Sequence, residues 1–338
     1  MKTLFCSADL PGIIEAAKII RNGGLVAFPT ETVYGLGADA KNEAAVNKIY
    51  AVKGRPADNP LILHIHDLAQ FHAYADAPEY FELLAKAFWP GPLTVVVPKK
   101  SSTPEWGTAG LQTIAIRMPS NDCSRLLAKH ADTAIYAPSA NLSGKPSPTS
   151  AHHVLQDLDG KVDIVLDGGH CIYGLESTVL DISDNMPCIL RPGFITAEMI
   201  YERIGILPEI GHPQGKQPKS PGVKYKHYAP NAELTVVNGS PASAAAFINE
   251  HASKAGKRIG VLATDQTVEM YDFNKYSVLN VGDRSKPELI GSELYAALRK
   301  FDDLGVEIIF AEGIIDTGIG AAVMNRMAKA AGGRVVNL

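Results

Sequence analysis

The chain has 338 residues, 46% hydrophobic and 20% charged, with a mean hydropathy of +0.01 and a net charge of −4. This composition excludes disorder as the main state, and the slightly acidic balance argues against a protein whose main business is wrapping nucleic acid. The length exceeds the roughly 250–300 residues at which single cores stop growing, so two domains are expected. No apolar run approaches the roughly 18 residues that span a bilayer. The start, Met1 to Asp9, has one Lys and a brief apolar stretch and makes a poor signal peptide, so no membrane partner and a cytoplasmic location are expected. Cys6, Cys123, Cys171 and Cys188 show no C-x-x-C spacing and read as structural thiols.

The first predicted strand is Leu25-Val26-Ala27-Phe28. Pro29-Thr30-Glu31-Thr32-Val33-Tyr34-Gly35-Leu36-Gly37 follows it and is read as a loop whose backbone and hydroxyl donors face a small polar ligand. A Gly-rich turn with structural threonines has the same composition. A helix predicted from Glu43 to Val52 runs into Lys53-Gly54-Arg55-Pro56, where two cations one residue apart can clamp polyphosphate oxygens. A helix C-terminus decorated with cations explains Lys53 as well, and Arg55 less well. From Asn59 to His66 the two-residue period puts Leu61, Leu63 and Ile65 on one face and Ile62, His64 and His66 on the other. No acidic or Cys ligand stands nearby at metal-site spacing, so hydrogen-bonding roles rank above metal.

A helix is predicted from Pro78 to Phe88, and strands at Leu93–Val97 and Thr113–Arg117. The second of these strands places Thr113, Ala115 and Arg117 on one face. Arg117 there needs solvent or an anionic partner, either a substrate carboxylate or the commoner structural Asp. Ala137 to Ser147, Glu176-Ser177-Thr178 and Arg191-Pro192-Gly193 are loops rich in hydroxyls, amide and cations, around strands at Ile164–Leu166 and Thr178–Leu180. None of these loops pairs a nucleophile with an adjacent base, which favours positioning and electrostatic catalysis over covalent catalysis.

Charge by segment marks a boundary: −6 over 1–210, +4 over 211–230 and −2 over 231–338. The middle segment has four prolines, three glycines and no acidic residue, the composition of a linker. Its Lys224-Tyr225-Lys226-His227-Tyr228 cluster suits an anionic ligand such as a nucleotide. Beyond it, strands at Leu234–Val237, Arg258–Leu262 and Val306–Phe310 alternate with helices at 241–255 and 287–304, as in a small parallel sheet. Gly318-Ile319-Gly320 lacks the third glycine of a dinucleotide fingerprint, and no P-loop is present.

Pro29-Thr30-Glu31-Thr32-Val33-Tyr34-Gly35-Leu36, Lys53-Gly54-Arg55-Pro56, Asn59-Pro60-Leu61, Ser139-Ala140-Asn141-Leu142-Ser143-Gly144, Glu176-Ser177-Thr178-Val179, Arg191-Pro192-Gly193 and the run Ser220 to Pro230 together resemble the Sua5/YrdC/YwlC family of threonylcarbamoyl-AMP synthases. The last motif and Asn325 to Ala331 are similar to its longer, two-domain Sua5 branch. The resemblance implies an α/β fold. Residues 1–210 would be a YrdC-like catalytic domain with a twisted, mostly parallel or mixed sheet around a concave site. Residues 211–230 would be a linker that closes over the active site, and 231–338 a smaller Rossmann-like C-terminal domain. It implies a nucleotidyltransferase that turns L-threonine, bicarbonate or CO2, and ATP into threonylcarbamoyl-AMP and pyrophosphate, the first step towards N6-threonylcarbamoyladenosine at position 37 of tRNA. The alternative is a double-stranded RNA or tRNA binding module without adenylate-forming activity.

By the same resemblance Thr32, His64, Arg117, Ala137 and Ser177 match positions that hold threonine. Lys53, Arg55, Asn59, Thr113, Ser139, Asn141, Ser147, Arg191 and Tyr225 match positions or motifs on ATP, and Lys53, Arg55 and Arg191 are the cations expected to act in catalysis. No tightly bound cofactor and no protein-held metal are expected, with ATP as substrate and Mg2+ as its companion ion. The downstream tRNA-modifying machinery, with tRNA itself, are the expected partners.

Overall fold

The computed structural model describes residues 2–211 and 227–338. They fall into two compact units, one of 2–143, 147–172 and 176–211, the other of 144–146, 173–175 and 227–338. Most of the segment expected to be a linker, including Tyr225, lies outside the described residues.

The first unit begins with β1 (Leu4–Ser7), α1 (Leu10–Arg21), β2 (Val26–Phe28), β3 (Gly35–Asp39), α2 (Glu43–Lys53) and β4 (Ile62–His64). It continues through α3 (Leu68–Tyr74), α4 (Phe81–Phe88), β5 (Leu93–Pro98), β6 (Thr113–Arg117), α5 (Asp122–Ala131), β7 (Ile135–Tyr136) and α6 (Ala151–Leu158). It closes with β8 (Ile164–Asp167), β9 (Thr178–Asp181), β10 (Cys188–Arg191), α7 (Ala197–Ile204) and β11 (Glu209–Ile210). The strands form one mixed sheet in the order β1-β8-β2-β3-β7-β4-β6-β5-β9-β10-β11. β4 and β6 run parallel, whereas β5 and β7 run antiparallel to those neighbours.

Alternation along the strands sends two sets of side chains to opposite faces. Leu63, Ile114, Ile116, Val95 and Leu180 join the main core with residues of α2, α3, α4, α6 and α7. On the other face Val26, Phe28, Ile135, Ala137, Ile164 and Leu166 pack under α1 and α5. Further along that second face Ile62, Val96, Ala115, Val179, Cys188 and Leu190 form a separate small apolar cluster. Its members come from strands alone, so it forms a floor beside the α1 and α5 layer.

Local signals explain the ends of these elements. Asp9 caps α1, accepting from Gly12 N at 3.0 Å, and α2 ends on Gly54 in the left-handed conformation, which turns the chain between Lys53 and Arg55. Gly35 to Gly37, read from sequence as part of a turn, is strand β3. Glycine stands at position 37 because a Cβ there would lie 2.6 Å from Ile135 Cγ2 and 2.7 Å from the Phe28 ring. The strand expected to reach His66 stops at His64, because Asp67 caps α3 and Gln70 Oε1 accepts from His66 N. The pairing of His64 and His66 on one sheet face is thereby corrected: His66 instead meets Asp67 at 3.3 Å.

The second unit runs β12 (Glu233–Asn238), α8 (Pro241–Lys254), β13 (Ile259–Ala263), β14 (Ser277–Asn280), α9 (Pro287–Asp303), β15 (Ile308–Glu312), α10 (Ile319–Ala330) and β16 (Val335–Asn337). Its five described strands are all parallel, in the order β14-β13-β15-β12-β16; α8, α9 and α10 make three of the connections, and the one from β13 to β14 carries only a single 3-10 turn at Val268–Met270. Arg326 on α10 is fully buried, its guanidinium 5.8 Å from the centroid of the Tyr228 ring. No described helix is long and apolar enough to cross a membrane.

Candidate active site

Arg117 ends β6 with His64 as its register partner on β4 and Thr94 on β5. It lies on the same side of the sheet as Ala115 and so at the edge of the apolar floor. The guanidinium is 4% exposed and cannot remain there without partners. Its Nη2 lies 2.7 Å from Glu31 Oε1, its Nη1 donates to Thr32 Oγ1 at 2.8 Å, and its Nε reaches Gly91 O at 3.3 Å. Of the partners considered from sequence, the chain supplies a carboxylate of its own, and it is a Glu from the loop between β2 and β3. Burial pushes the Glu31 carboxyl up, but the Arg117 charge and hydrogen bonds to it prevail and hold it below 4.5.

Proton bookkeeping orders the threonines. Thr30 Oγ1 donates to Val33 O at 2.6 Å and accepts from the backbone N–H groups of Thr32 and Val33. In the 2.8 Å contact between the two hydroxyls Thr32 is therefore the donor, and its oxygen is left to accept from Arg117. His64 is buried, donates from Nδ1 to Ile62 O at 3.2 Å and stands edge-on to Phe28. Burial first, and then the Arg117 charge, depress its pKa to about 3, so it is neutral at pH 7.

Folding thus depresses the affinity of His64 for a proton. Stability is lost as pH falls from the free imidazole value of about 6.5 towards 3. His64→Gln should remove this contribution. Between pH 6.5 and 4.5 the wild type should lose about 2 kcal/mol more than the variant, as read from urea melts. Parallel losses in both proteins would contradict a neutral His64.

A second group lies beside the first. Ser177, just before β9, shares a 2.7 Å hydrogen bond with Thr94 and accepts from Arg191 Nη2 at 3.2 Å, while Arg191 Nε donates to Ser177 O at 3.1 Å. Because Thr94 is the register partner of Arg117, the two arginines stand at either end of a line of hydroxyls. One residue upstream, Glu176 accepts from Ser147 Oγ at 2.6 Å, and both are buried.

The third group surrounds the end of α2. Lys53, 3% exposed, donates from Nζ to the carbonyls of Ser139 and Asn141, and its own carbonyl accepts from Ser143 N. Arg55 Nη2 donates to Pro60 O at 2.9 Å and Nε to Asn59 O at 3.3 Å. Asn59 is buried, and among the described residues its side-chain Oδ1 has no hydrogen-bond partner, an acceptor open to a further donor. Asn141 Nδ2 donates to Leu142 O at 2.8 Å. The segment from 137 to 147 is laced to the Thr30–Leu36 loop by Leu36 N to Pro138 O and Ala140 N to Tyr34 O, and Ala137 N donates to Ile62 O.

The structure therefore joins Thr32 with Arg117, Ser177 with Arg191, Lys53 with Ser139 and Asn141, and Arg55 with Asn59. Thr113 shares the face of Arg117 but begins β6, four residues or roughly 13 Å away along the strand. Three residues of this network, Glu31, Thr94 and Glu176, were not singled out from sequence. Among the described buried ionisable groups of the site, the basic residues Lys53, Arg55, Arg117 and Arg191 outnumber the acidic residues Glu31, Glu176 and Asp157, the last of which accepts from Leu142 N. Such a site is built to receive anions. Among the described residues no group of three or more His, Cys, Asp or Glu is arranged to hold a metal. Cys123 and Cys171 are buried thiols, each pushed up by burial to about 12, and cannot serve as nucleophiles.

Comparison with known proteins follows the same lines. A family model described as "Telomere recombination", covering the Sua5, YciO and YrdC proteins, matches residues 18–193, and one described as "Threonylcarbamoyl-AMP synthase, C-terminal domain" matches residues 195–332. The chain is 49% identical over 334 residues to the threonylcarbamoyl-AMP synthase of Bacillus subtilis, covering 98% of this chain and 96% of that one. It is 47% identical over 330 residues to that of Pyrococcus abyssi, covering 96% and 95%. The crystal structure of P. abyssi Sua5 complexed with L-threonine superposes with a TM-score of 0.92 at 43% identity, covering both chains completely.

Proposed function

We propose how this chain, which belongs to the two-domain Sua5 family of threonylcarbamoyl-AMP synthases, makes threonylcarbamoyl-AMP from L-threonine, bicarbonate or CO2, and ATP. The threonine amine adds to CO2, a nitrogen–carbon bond forms and the nitrogen loses a proton, which leaves a carbamate. A carbamate oxygen then attacks the α-phosphorus of ATP in line, the bond from that phosphorus to the bridging oxygen breaks, and pyrophosphate leaves. Both reactants are anions, so the protein's task is to hold them together against repulsion.

The observation that carries this reading is the line Glu31, Arg117, Thr94, Ser177, Arg191, which puts one buried guanidinium at each end of a short run of hydroxyls. We assign Arg117 to the threonine carboxylate, with the Thr32 hydroxyl, which accepts from Arg117 Nη1, lining the pocket and helping Glu31 hold the guanidinium plane in place. Neutral His64, Ala137 and Ser177 shape the same pocket. Lys53, Arg55 and Arg191 are assigned to the phosphates, Ser139, Asn141 and Ser147 to the nucleotide through their loop, and the unsatisfied Asn59 Oδ1 to a donor on ATP such as a ribose hydroxyl. Thr113 and Tyr225 are assigned to ATP on the family resemblance alone. Mg2+ enters with the polyphosphate as part of the substrate. The mixed anhydride then passes to the tRNA-modifying machinery, where an adenosine amine takes the threonylcarbamoyl group, loses a proton and releases AMP.

The test is incubation with labelled bicarbonate, threonine and ATP, each omitted in turn. Pyrophosphate release and a labelled adenylate that both require all three components support the reading. Pyrophosphate release independent of threonine would refute it.

A further inference from the structure

The second unit contains two short segments from far upstream in the chain, 144–146 and 173–175, and both are held by α9 or its neighbours. Arg299 on α9, 5% exposed, donates from Nη2 to Pro146 O at 2.6 Å, while Ala229 N donates to Gly144 O at 2.8 Å. On the other segment Gly174 takes φ +65 and approaches α9 so closely that a Cβ there would lie 2.5 Å from Ser292 Cα and 2.6 Å from Ser292 O. Leu175 packs on Gly291, where a Cβ would come within 3.1 Å of Leu175 Cδ1. The residues that follow these two segments in the chain are Ser147 and Glu176, whose side chains share the 2.6 Å hydrogen bond described above, with Ser177 next.

We infer that α9 is a positioning element for the nucleotide side of the site, and that Arg299 is its principal positioning residue. The Arg299 hydrogen bond and the Gly174 contact fix the two backbones from which Ser147 and Glu176 project, and so fix the distance between those side chains. Neither Arg299 nor Gly174 touches substrate; each acts through the residue one or two places along the chain. A displacement of about 1 Å at a binding group is enough to lose much of its contribution. This inference rests on the assignment of Ser147 to ATP.

The experiment measures kcat, KM for ATP and the Kd for threonine in the full-length enzyme, with melting temperatures alongside. Arg299→Met keeps the length of the side chain and removes its donors, and should raise KM for ATP about tenfold while kcat and threonine affinity stay within about twofold. Arg299→Lys, which keeps one donor for Pro146 O, should recover most of that loss. If Arg299→Met does not fold, Gly174→Ala decides by the same readout, since it disturbs the other segment. A KM for ATP unchanged in the folded variant, or ATP and threonine weakened equally, would overturn the inference. Ser147→Ala separates it from the assignment on which it rests. If Ser147→Ala raises KM for ATP and Arg299→Met does not, α9 has no positioning role. If Ser147→Ala leaves that KM unchanged, the assignment of Ser147 is wrong.

Discussion

Arg117→Ala is expected to destabilise the protein by about 3–5 kcal/mol, the range found when one partner of a buried ion pair is removed. Glu31 is 1% exposed and would be left as a carboxylate with no counter-charge, while the Thr32 hydroxyl would lose its donor. Two further results distinguish this from a simple loss of packing. The double variant Arg117→Met with Glu31→Gln removes both charges and should recover much of the loss. In the single variant the burial of Glu31 is no longer opposed, so its pKa should rise above 4.5, and the deficit relative to wild type should shrink as pH falls towards that value. Wild-type Glu31 behaves oppositely: its depressed pKa stabilises the fold above about 4.5, and that stability is lost on further acidification. Denaturant melts of the three proteins at pH 7.5 and 5 check both points. Threonine binding should fall by at least about a hundredfold in Arg117→Ala, as for a lost charge-assisted pair. A double variant no more stable than the single one, with threonine affinity intact, would remove Arg117 from the centre of the site.

Arg55→Ala is expected to lower kcat by about 10²–10³, equivalent to about 2.7–4 kcal/mol, as for loss of one preorganised donor that meets developing charge. Its effect on stability should be smaller than that of Arg117→Ala, because it donates to the carbonyls of Asn59 and Pro60 in its own loop. Arg55→Lys should recover only part of the rate, since a point charge replaces a planar fork. Lys53 differs in kind: it ties the carbonyls of Ser139 and Asn141 together, so Lys53→Met should damage both nucleotide affinity and the fold of the 137–147 loop. Initial rates of pyrophosphate release at saturating threonine and bicarbonate measure these effects. A near-normal kcat in Arg55→Ala would deny that cation its part in bringing the anions together.

Much of this arrangement is legible in the sequence, for identifiable reasons. Runs such as Leu93–Val97 and Ile259–Leu262 lie in strands because they are buried on both faces. The two-residue period correctly placed Arg117 on the face of Ala115 and Ile62 on the face of His64. The paired cations at 53 and 55 were visible because α2 must end at Gly54. What stayed hidden depends on contacts far along the chain. Glu31 lies between two threonines with no local sign of a partner; its tertiary pairing with Arg117 accompanies its burial. Glu176 was quoted in a motif, but its bond to Ser147 requires two loops to meet. Thr94 is one hydroxyl in an apolar strand, and the register with β6 gives it its place. The strand ending before His66 had a local signal, the Asp67-to-Gln70 cap, which competes with extended structure. The Gly35–Gly37 strand had only a tertiary reason, the Phe28 ring occupying the space of a side chain.

The central claim is that threonine and ATP lie in one site, with the carboxylate on Arg117 and the phosphates among Lys53, Arg55 and Arg191. A crystal structure with threonine, bicarbonate and a non-hydrolysable ATP analogue tests this most directly. The account predicts the threonine carboxylate on Arg117, in the pocket lined by Thr32, and a carbamate oxygen within about 3.5 Å of the α-phosphorus, in line with the departing β-phosphate. Nucleotide bound on a surface away from Arg191, or threonine with its carboxylate turned from Arg117, would contradict it.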